Sequence, residues 1–379
     1  MEPATHSSNS SLTARIREEA RRLGFFKMGV ARAGPTPHSA EFLRWLERGM
    51  QGEMHYMERQ AGRRNQPGEV LENARSMLVL TMNYHSGEAL SGDPLTGRIS
   101  RYAWGEDYHF IVKSGLDALL IFIQSENPAA RGLCYVDTGP VMEKVWGSRT
   151  SLGWMGKHTN LITREQGSWF FIGVILLDIE LECAPRESDH CGTCTRCITA
   201  CPTRAIVAPY VVDARMCISY LTIELRGPIP RPLRPLIGNR IYGCDDCQDV
   251  CPWNRFAVQS GNEGFRPRPE NLMPALAGLV DMTPEEFERR FRKSPIRRAK
   301  RDGFVRNVCV ALGNSQNPEA LPALSGAMRD RSPLVRAHAA WAVGRIPGQA
   351  AIKVLHEALQ AETDREVLEE IRLALSGEM

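Results

Sequence analysis

The sequence predicts a multidomain α+β protein in three parts: a mixed α/β domain, a compact cysteine-rich module and a C-terminal helical solenoid. Three observations predict it. Apolar runs of strand length alternate with helical patterns up to about residue 180, eight cysteines crowd residues 191–251, and a small apolar triplet recurs every 31 or 32 residues near the C-terminus. The 379 residues, 43% hydrophobic and 24% charged, are ordinary for a folded chain, and at about 150 residues per domain they allow several domains. With 47 Lys and Arg against 44 Asp and Glu, the net charge of +3 selects no partner class.

From Ser11, read as an N-cap, Leu12, Ile16 and Leu23 fall loosely on one helical stripe that ends at Gly24. Runs at 25–31 (FFKMGVA), 76–82 (SMLVLTM) and 169–177 (WFFIGVILL) read as strands, with helical patterns around 39–60 and 109–126. This first domain is expected over residues 11–180. It has no Walker loop and no dinucleotide-type G-x-G-x-x-G, so neither nucleotide hydrolysis nor Rossmann hydride transfer is signalled. The longest clean apolar run, Trp169 to Leu177, has nine residues; a membrane-crossing helix needs about 20. Residues 1–10 (MEPATHSSNS) have no basic start, apolar stretch or twin arginine, so a disordered N-terminus and a cytoplasmic location are expected.

Eleven cysteines in such a chain point to metal or redox chemistry rather than disulfides. Cys191, Cys194, Cys197 and Cys201, followed by Pro202, form C-x2-C-x2-C-x3-C-P, the run by which bacterial-type ferredoxins hold iron-sulfur clusters. Three closely spaced thiolates grip one cubane and the fourth serves another, so a second set is required. Cys244, Cys247 and Cys251 with Pro252 repeat the end of the pattern, and Cys217 precedes them across an inserted segment, 218–243. The spacing assigns Cys191, Cys194, Cys197 and Cys251 to one 4Fe-4S cluster, and Cys201, Cys217, Cys244 and Cys247 to the other. Zinc also binds C-x2-C pairs, but it leaves the trailing Cys-Pro steps without a role. Cys134, Cys183 and Cys309 have no partner at metal spacing. The expected module, 181–260, is ferredoxin-like, and two adjacent clusters imply an electron donor and an acceptor elsewhere.

Near the C-terminus, Ala311-Leu312-Gly313, Ala342-Val343-Gly344 and Ala374-Leu375-Ser376 each close an apolar helix. Val305 to Leu312 and Leu334 to Val343 read as helices, each followed by a polar loop and a second helix (320–328, 351–360), which is the pattern of HEAT-like repeats over 304–379. The preceding linker, 261–303, carries Arg289, Arg290, Arg292, Lys293, Arg297, Arg298, Lys300 and Arg301 within thirteen residues. On charge alone this is a solvated helix face. Beside a solenoid, and with Arg226, Arg231, Arg234 and Arg240 in the insert, it also fits a phosphate backbone.

A family resemblance rests on SRYAWGEDYH (100–109), YVDTGPVMEK (135–144), GWMGKHTNLI (153–162), GSWFFIG (167–173), the cysteine run, and IGNRIYGCDDCQDVCPWN (237–254). With the terminal repeats, the chain from about residue 12 onward resembles the epoxyqueuosine reductases. The resemblance implies a cobalamin-dependent enzyme with two 4Fe-4S clusters that completes queuosine synthesis by reducing an epoxide on the wobble nucleoside of tRNA. It implies that residues 11–180 form a corrinoid-binding domain, similar to nitroreductase-like and cobalamin-processing proteins. The partner is then tRNA carrying epoxyqueuosine in its anticodon loop, with Arg226, Arg297, Arg298, Lys300 and Arg301 as tRNA contacts. Epoxide to alkene takes two electrons and two protons and releases water; clusters deliver electrons singly, and cobalt can collect them and hold the substrate covalently.

The resemblance makes Asp137 the general acid, a role that needs its pKa raised from about 4 by burial. Arg64, Ser100, Asp137, Lys157, His158, Ser219, Asp245 and Asp246 fall where the family contacts cobalamin, some through backbone atoms, with His158 standing where many relatives have asparagine. The histidine-on-cobalt motif D-x-H-x-x-G begins at Asp107-Tyr108-His109 but has Val112 in place of glycine, so no protein histidine on cobalt is expected. Tyr108 and Trp104 either line the substrate cavity or pack in the core. Two other readings remain: a corrinoid reductive dehalogenase, a class that normally carries a twin-arginine signal and no solenoid, and a non-catalytic two-cluster carrier that needs no cobalamin. The electron donor is not identified by the sequence, no membrane is involved, and a monomer is expected.

Overall fold

The computed structural model describes residues 11–89 and 92–377; the disorder expected for residues 1–10 lies outside them. Helix α1 (Leu12–Arg22) starts where Ser11 Oγ accepts the Ala14 amide, and it buries Ile16 and Ala20. Strands β1 (Lys27–Arg32) and β2 (Ser76–Asn83) follow, then helix α2 (Tyr108–Glu126), β3 (Gly132–Tyr135) and β4 (Phe170–Leu177). The strands form one antiparallel sheet in the order β1-β2-β4-β3, with Leu80 opposite both Met28 and Gly173.

Alternation along the strands sends Leu78, Leu80 and Ile175 to the α2 side, and Met77, Val79 and Val174 to the side of Trp146 and Leu152. Both faces are covered, so the strands read as unbroken apolar runs. From α2, Val112, Leu116, Leu119 and Ile123 are fully buried. The helix sits so close that a Cβ on Gly173 would lie 2.8 Å from Leu116 Cδ1. The helical pattern expected around 39–60 is interrupted: helix Ser39–Glu47 ends before Gly49 and Gly52, both at positive φ, and only short turns follow. The four-residue, half-buried β3 is a strand that the sequence patterning missed.

Five helices close the chain: α3 (Lys300–Ser315), α4 (Leu321–Ala327), α5 (Pro333–Gly344), α6 (Gln349–Ala361) and α7 (Arg365–Ser376). Their small recurring residues are crossing points. A Cβ on Gly313 would lie 2.7 Å from Ala342 Cα, and one on Gly344 2.8 Å from Ala374 Cβ. The cysteine module does not stand apart from them, because Ile218, Leu221, Ile237 and Ile241 of the insert share one hydrophobic cluster with α3 and α5. Buried Arg306 of α3 donates to the carbonyls of Leu221, Leu225 and Gly227, and Asn307 to those of Thr222 and Ile241. Burial lowers the Arg306 pKa to about 9, which leaves it charged at neutral pH. Among the described residues no helix is long and apolar enough to cross a membrane.

Candidate active site

The loop after β3 places Asp137 at φ +61°, a left-handed conformation that aspartate tolerates better than most residues. Its Oδ2 accepts the Tyr108 hydroxyl at 2.8 Å and faces His109 Nε2 at 3.8 Å. His109 Nδ1 lies 2.7 Å from Oδ1 of Asp107, the residue that caps α2. Tyr108 is held in place by stacking on Phe171 at 4.2 Å. The start of α2 therefore aims an Asp107–His109–Asp137 line, with Tyr108 beside it, at one carboxylate.

Burial is the largest influence on Asp137 and raises its pKa, but the hydrogen bonds of His109 and Tyr108 outweigh it and hold the carboxyl below its usual range. The upward shift expected from the sequence is thus corrected: the protein's own groups keep Asp137 ionised. For His109, burial lowers the pKa, and the bonds and charges of Asp107 and Asp137 overturn that and raise it to about 9. The proton of the pair rests on the imidazole. Asp137 keeps 69% of its side-chain surface exposed, so the carboxylate is open to a partner from outside.

Two cavity groups had no role in the sequence reading, although YVDTGPVMEK contains both. In helix Glu143–Gly147, Glu143 Oε1 is buried with no partner, and burial, then the charge of Asp137, pushes the carboxyl up to about 7. Lys144 Nζ donates to Asn160 Oδ1 at 2.7 Å and lies within electrostatic reach of Asp137, Cys247 and Cys217. Lys144 thus lies between the charge of Asp137 and that of the second cysteine set.

Among the expected cobalamin contacts, buried Arg64 donates through Nη1 to the Val141 carbonyl at 3.0 Å and has an unpartnered Nε. Buried His158 accepts the Asn160 amide at Nδ1, which puts its ring proton on Nε2, where it has no partner. Burial, then Lys144, holds its pKa down to about 4, so the ring is neutral. A buried polar atom left unpaired costs about 1–3 kcal/mol, so these two donors fit a site for a polar group.

The remaining side chains make hydrogen bonds or ion pairs within the protein, so a contact of theirs with cobalamin would run through backbone atoms, as expected for some of them. Lys157 Nζ ties down the carbonyls of Gly192 and Cys194 at 2.7 and 2.9 Å. Ser100 Oγ donates to Asp245 Oδ1 at 2.5 Å, and Asp245 also accepts the Arg101 amide. Asp246 pairs with Arg240, and Ser219 lies against Cys217 through its amide and hydroxyl. Trp104 is a core residue, 1% exposed, donating to the Ile99 carbonyl.

The eight module cysteines carry no disulfide. Cys197 lies within electrostatic reach of Cys191, Cys194 and Cys251; Cys217 within that of Cys201; and Cys247 within that of Cys244 and Cys217. Cys247 is also within reach of Cys197, so the eight thiols form one neighbourhood, and their division into the two sets that the spacing assigns stays an expectation. They are not packed around one point, since among the described residues no three His, Cys, Asp or Glu side chains stand as a single metal ion requires.

The basic stretch divides. Arg226 and Lys300 are exposed. Arg297 pairs with Glu288 at 2.6 Å while 53% exposed, and Arg298 binds Glu224 through two bonds while 51% exposed. Arg301 corrects the expectation: it is 9% exposed, donates to Asp330 at 2.8 and 2.5 Å and to the Met282 carbonyl, and so joins α3 to the next repeat. Arg231 and Arg234 both bind Glu370, and Arg234 is 2% exposed.

The chain matches the family model described as epoxyqueuosine reductase QueG, DUF1730, over residues 64–138. It also matches a 4Fe-4S double cluster binding domain over 190–254 and HEAT repeats over 299–376. The cluster match agrees with the ferredoxin reading of the cysteines over the zinc one. An epoxyqueuosine reductase of Pseudomonas aeruginosa is 42% identical over 342 residues, covering 88% of this chain and 94% of that one. One of Escherichia coli K12 is 39% identical over 340 residues, covering 89% and 90%. A solved epoxyqueuosine reductase with a tRNA-Tyr epoxyqueuosine-modified tRNA stem loop superposes with a TM-score of 0.89 at 30% identity, covering 97% of this chain and 98% of that one. Sequence likeness over nearly the whole length, with the same fold throughout, means that the chain belongs to the epoxyqueuosine reductase family.

Proposed function

We propose that the chain reduces epoxyqueuosine to queuosine at the wobble position of tRNA, in the cavity that Asp137, Glu143 and Lys144 share with Cys217 and Cys247. The observation that carries this is that Lys144 lies within electrostatic reach both of Asp137, which faces the proton-holding His109, and of Cys217 and Cys247 of one cluster set. Residues 11–180 would bind cobalamin, 181–260 the two clusters, 261–303 form a basic linker, and 304–379 supply the repeat surface. Cys191, Cys194, Cys197 and Cys251 ligate one cluster; Cys201, Cys217, Cys244 and Cys247 ligate the other, which faces the cavity.

Arg64 Nε and His158 Nε2, the unspent donors, hold oxygen atoms of cobalamin; Ser100, Lys157, Ser219, Asp245 and Asp246 shape the site by backbone and by fixing neighbouring loops. Bound cobalamin supplies a metal centre able to gather single electrons and act on carbon. The balance is epoxide plus two electrons and two protons to alkene and water. His109 Nε2 stores one proton, Asp137 Oδ2 passes it to the epoxide oxygen, and the Tyr108 hydroxyl orients that carboxylate. Glu143, half protonated near pH 7, stores the second.

Arg226, Arg297, Arg298 and Lys300 meet tRNA phosphates, and the enzyme works in the cytoplasm as a monomer. The dehalogenase and carrier readings gain no support, because relatives along most of the chain are named epoxyqueuosine reductase. The test is cobalamin binding, read as a visible difference spectrum, in His158→Leu and Arg64→Met. Affinity reduced about tenfold in each, with clusters intact, is expected, one lost hydrogen bond to a neutral partner being worth about 1 kcal/mol or more. Unchanged affinity in both would remove the cavity as the cobalamin site.

A further inference from the structure

Away from these cavity groups, a depression of about 820 Å³ opens beside the first cysteine set. Cys251 lines it, together with Thr195 and Arg196 from the turn between Cys194 and Cys201, and Arg255. Arg196 and Arg255 are exposed and form no ion pair among the described residues. Asp249, the carboxylate of the lining, is already neutralised by Arg101 at 2.7 Å. Beside this positive rim lies exposed apolar surface: Phe256 is 40% exposed under the Arg255 guanidinium, and Val258 is 53% exposed. The Phe256 ring meets Trp253, which packs in turn with Cys191 and Cys251.

The proposed function gives none of the exposed side chains here a part in holding cobalamin, tRNA or a proton. They have the composition of a transient docking surface, two unpaired cations beside exposed apolar side chains, set over a cluster ligand. The reaction consumes two electrons, and the sequence holds no dinucleotide-binding motif to supply them. We propose that this depression docks an acidic one-electron carrier protein, which reduces the cluster of Cys191, Cys194, Cys197 and Cys251. Each encounter oxidises the carrier by one electron and reduces the cluster by one; two encounters serve one epoxide. The direction of flow rests on the reading that the other cluster faces the cavity. Charge complementarity would steer the encounter and make it salt-sensitive.

The test uses holoenzyme with both clusters and follows bleaching of their visible absorbance by stopped flow, which requires neither cobalamin nor tRNA. The probe is an electrochemically reduced, acidic 2Fe-2S ferredoxin; photoreduced deazaflavin, small and uncharged, is the control. At low salt the double variant Arg196→Glu with Arg255→Glu should be reduced by the ferredoxin about tenfold or more slowly than wild type, and by deazaflavin at the wild-type rate. Equal ferredoxin rates in the two proteins would overturn the proposal. So would a wild-type rate no higher than that given by the same ferredoxin with its carboxylates amidated. Loss of tRNA stem-loop affinity in the variant, with ferredoxin rates unchanged, would assign the surface to nucleic acid instead. Cobalamin binding by the same variant separates this outcome from failure of the cavity reading.

Discussion

At the scale of single residues, Asp137 illustrates how a motif locates a group without fixing its charge. The sequence shows Asp137 in a V-D-T-G-P turn, but its proton depends on Tyr108 and His109, which arrive from the start of α2. Asp137→Asn should keep both clusters and cobalamin while turnover falls by about 10²–10⁴, the usual weight of a proton-transfer group; nucleoside mass spectrometry reads the loss, and full activity would remove Asp137 from the reaction. The paired titration also predicts a pH profile. Glu143 loses its proton through about 7 and His109 through about 9, so activity should fall from about pH 7 and more steeply above about 9, and His109→Gln should abolish the upper limb. The pair's contribution to stability has the same sign: full below about 6.5, the unfolded value, and lost as pH rises through about 9.

At the scale of elements, the basic stretch ending at α3 is not one surface. Arg301 and Asp330 are 9% and 8% exposed, and removing one partner of such a pair costs about 3–5 kcal/mol. Arg301→Ala should therefore lower the urea midpoint strongly. Arg297→Ala and Arg298→Ala, whose pairs are half exposed, should cost about 1 kcal/mol or less yet weaken tRNA binding and flatten its salt dependence. Equal stability losses in all three would contradict this division. In α5, fully buried His338 accepts the Ile229 amide at Nε2 and donates from Nδ1 to the Leu334 carbonyl. Burial, then Arg234 and Arg306, keeps its pKa well below the usual value. The unfolded chain takes up a proton that the folded one refuses, so stability should fall as pH drops below about 6.5. His338→Gln should flatten that slope in pH-dependent unfolding; an unaltered slope would assign it to other groups. The repeats were legible because glycine and alanine recur where helices cross. Short β3 was not, having four residues and no alternation, and an inward-facing arginine has the same letter as an outward-facing one.

Across the whole molecule, cysteine spacing carried the largest share of what was legible, because cluster geometry dictates sequence separation. Spacing cannot tell which set faces the reaction cavity. The proposal that the set of Cys217 and Cys247 does so rests on Lys144, which lies within electrostatic reach of both and shares its helix with Glu143. Nor could it show that the insert joins the repeats in one core, a consequence of buried polar residues such as Arg306 and Asn307 reaching backbone carbonyls across the junction. In the proposed reaction these parts form one path: electrons arriving through the clusters and protons held at His109 and Glu143 meet at one epoxide. The measurement that tests this most directly is mass spectrometry of the wobble nucleoside after a single anaerobic turnover on tRNA bearing epoxyqueuosine, with and without cobalamin. Loss of one oxygen atom that requires cobalamin in the wild type, and is slowed by orders of magnitude in Asp137→Asn, is the predicted result. Conversion without cobalamin, or at the wild-type rate in the variant, would contradict it.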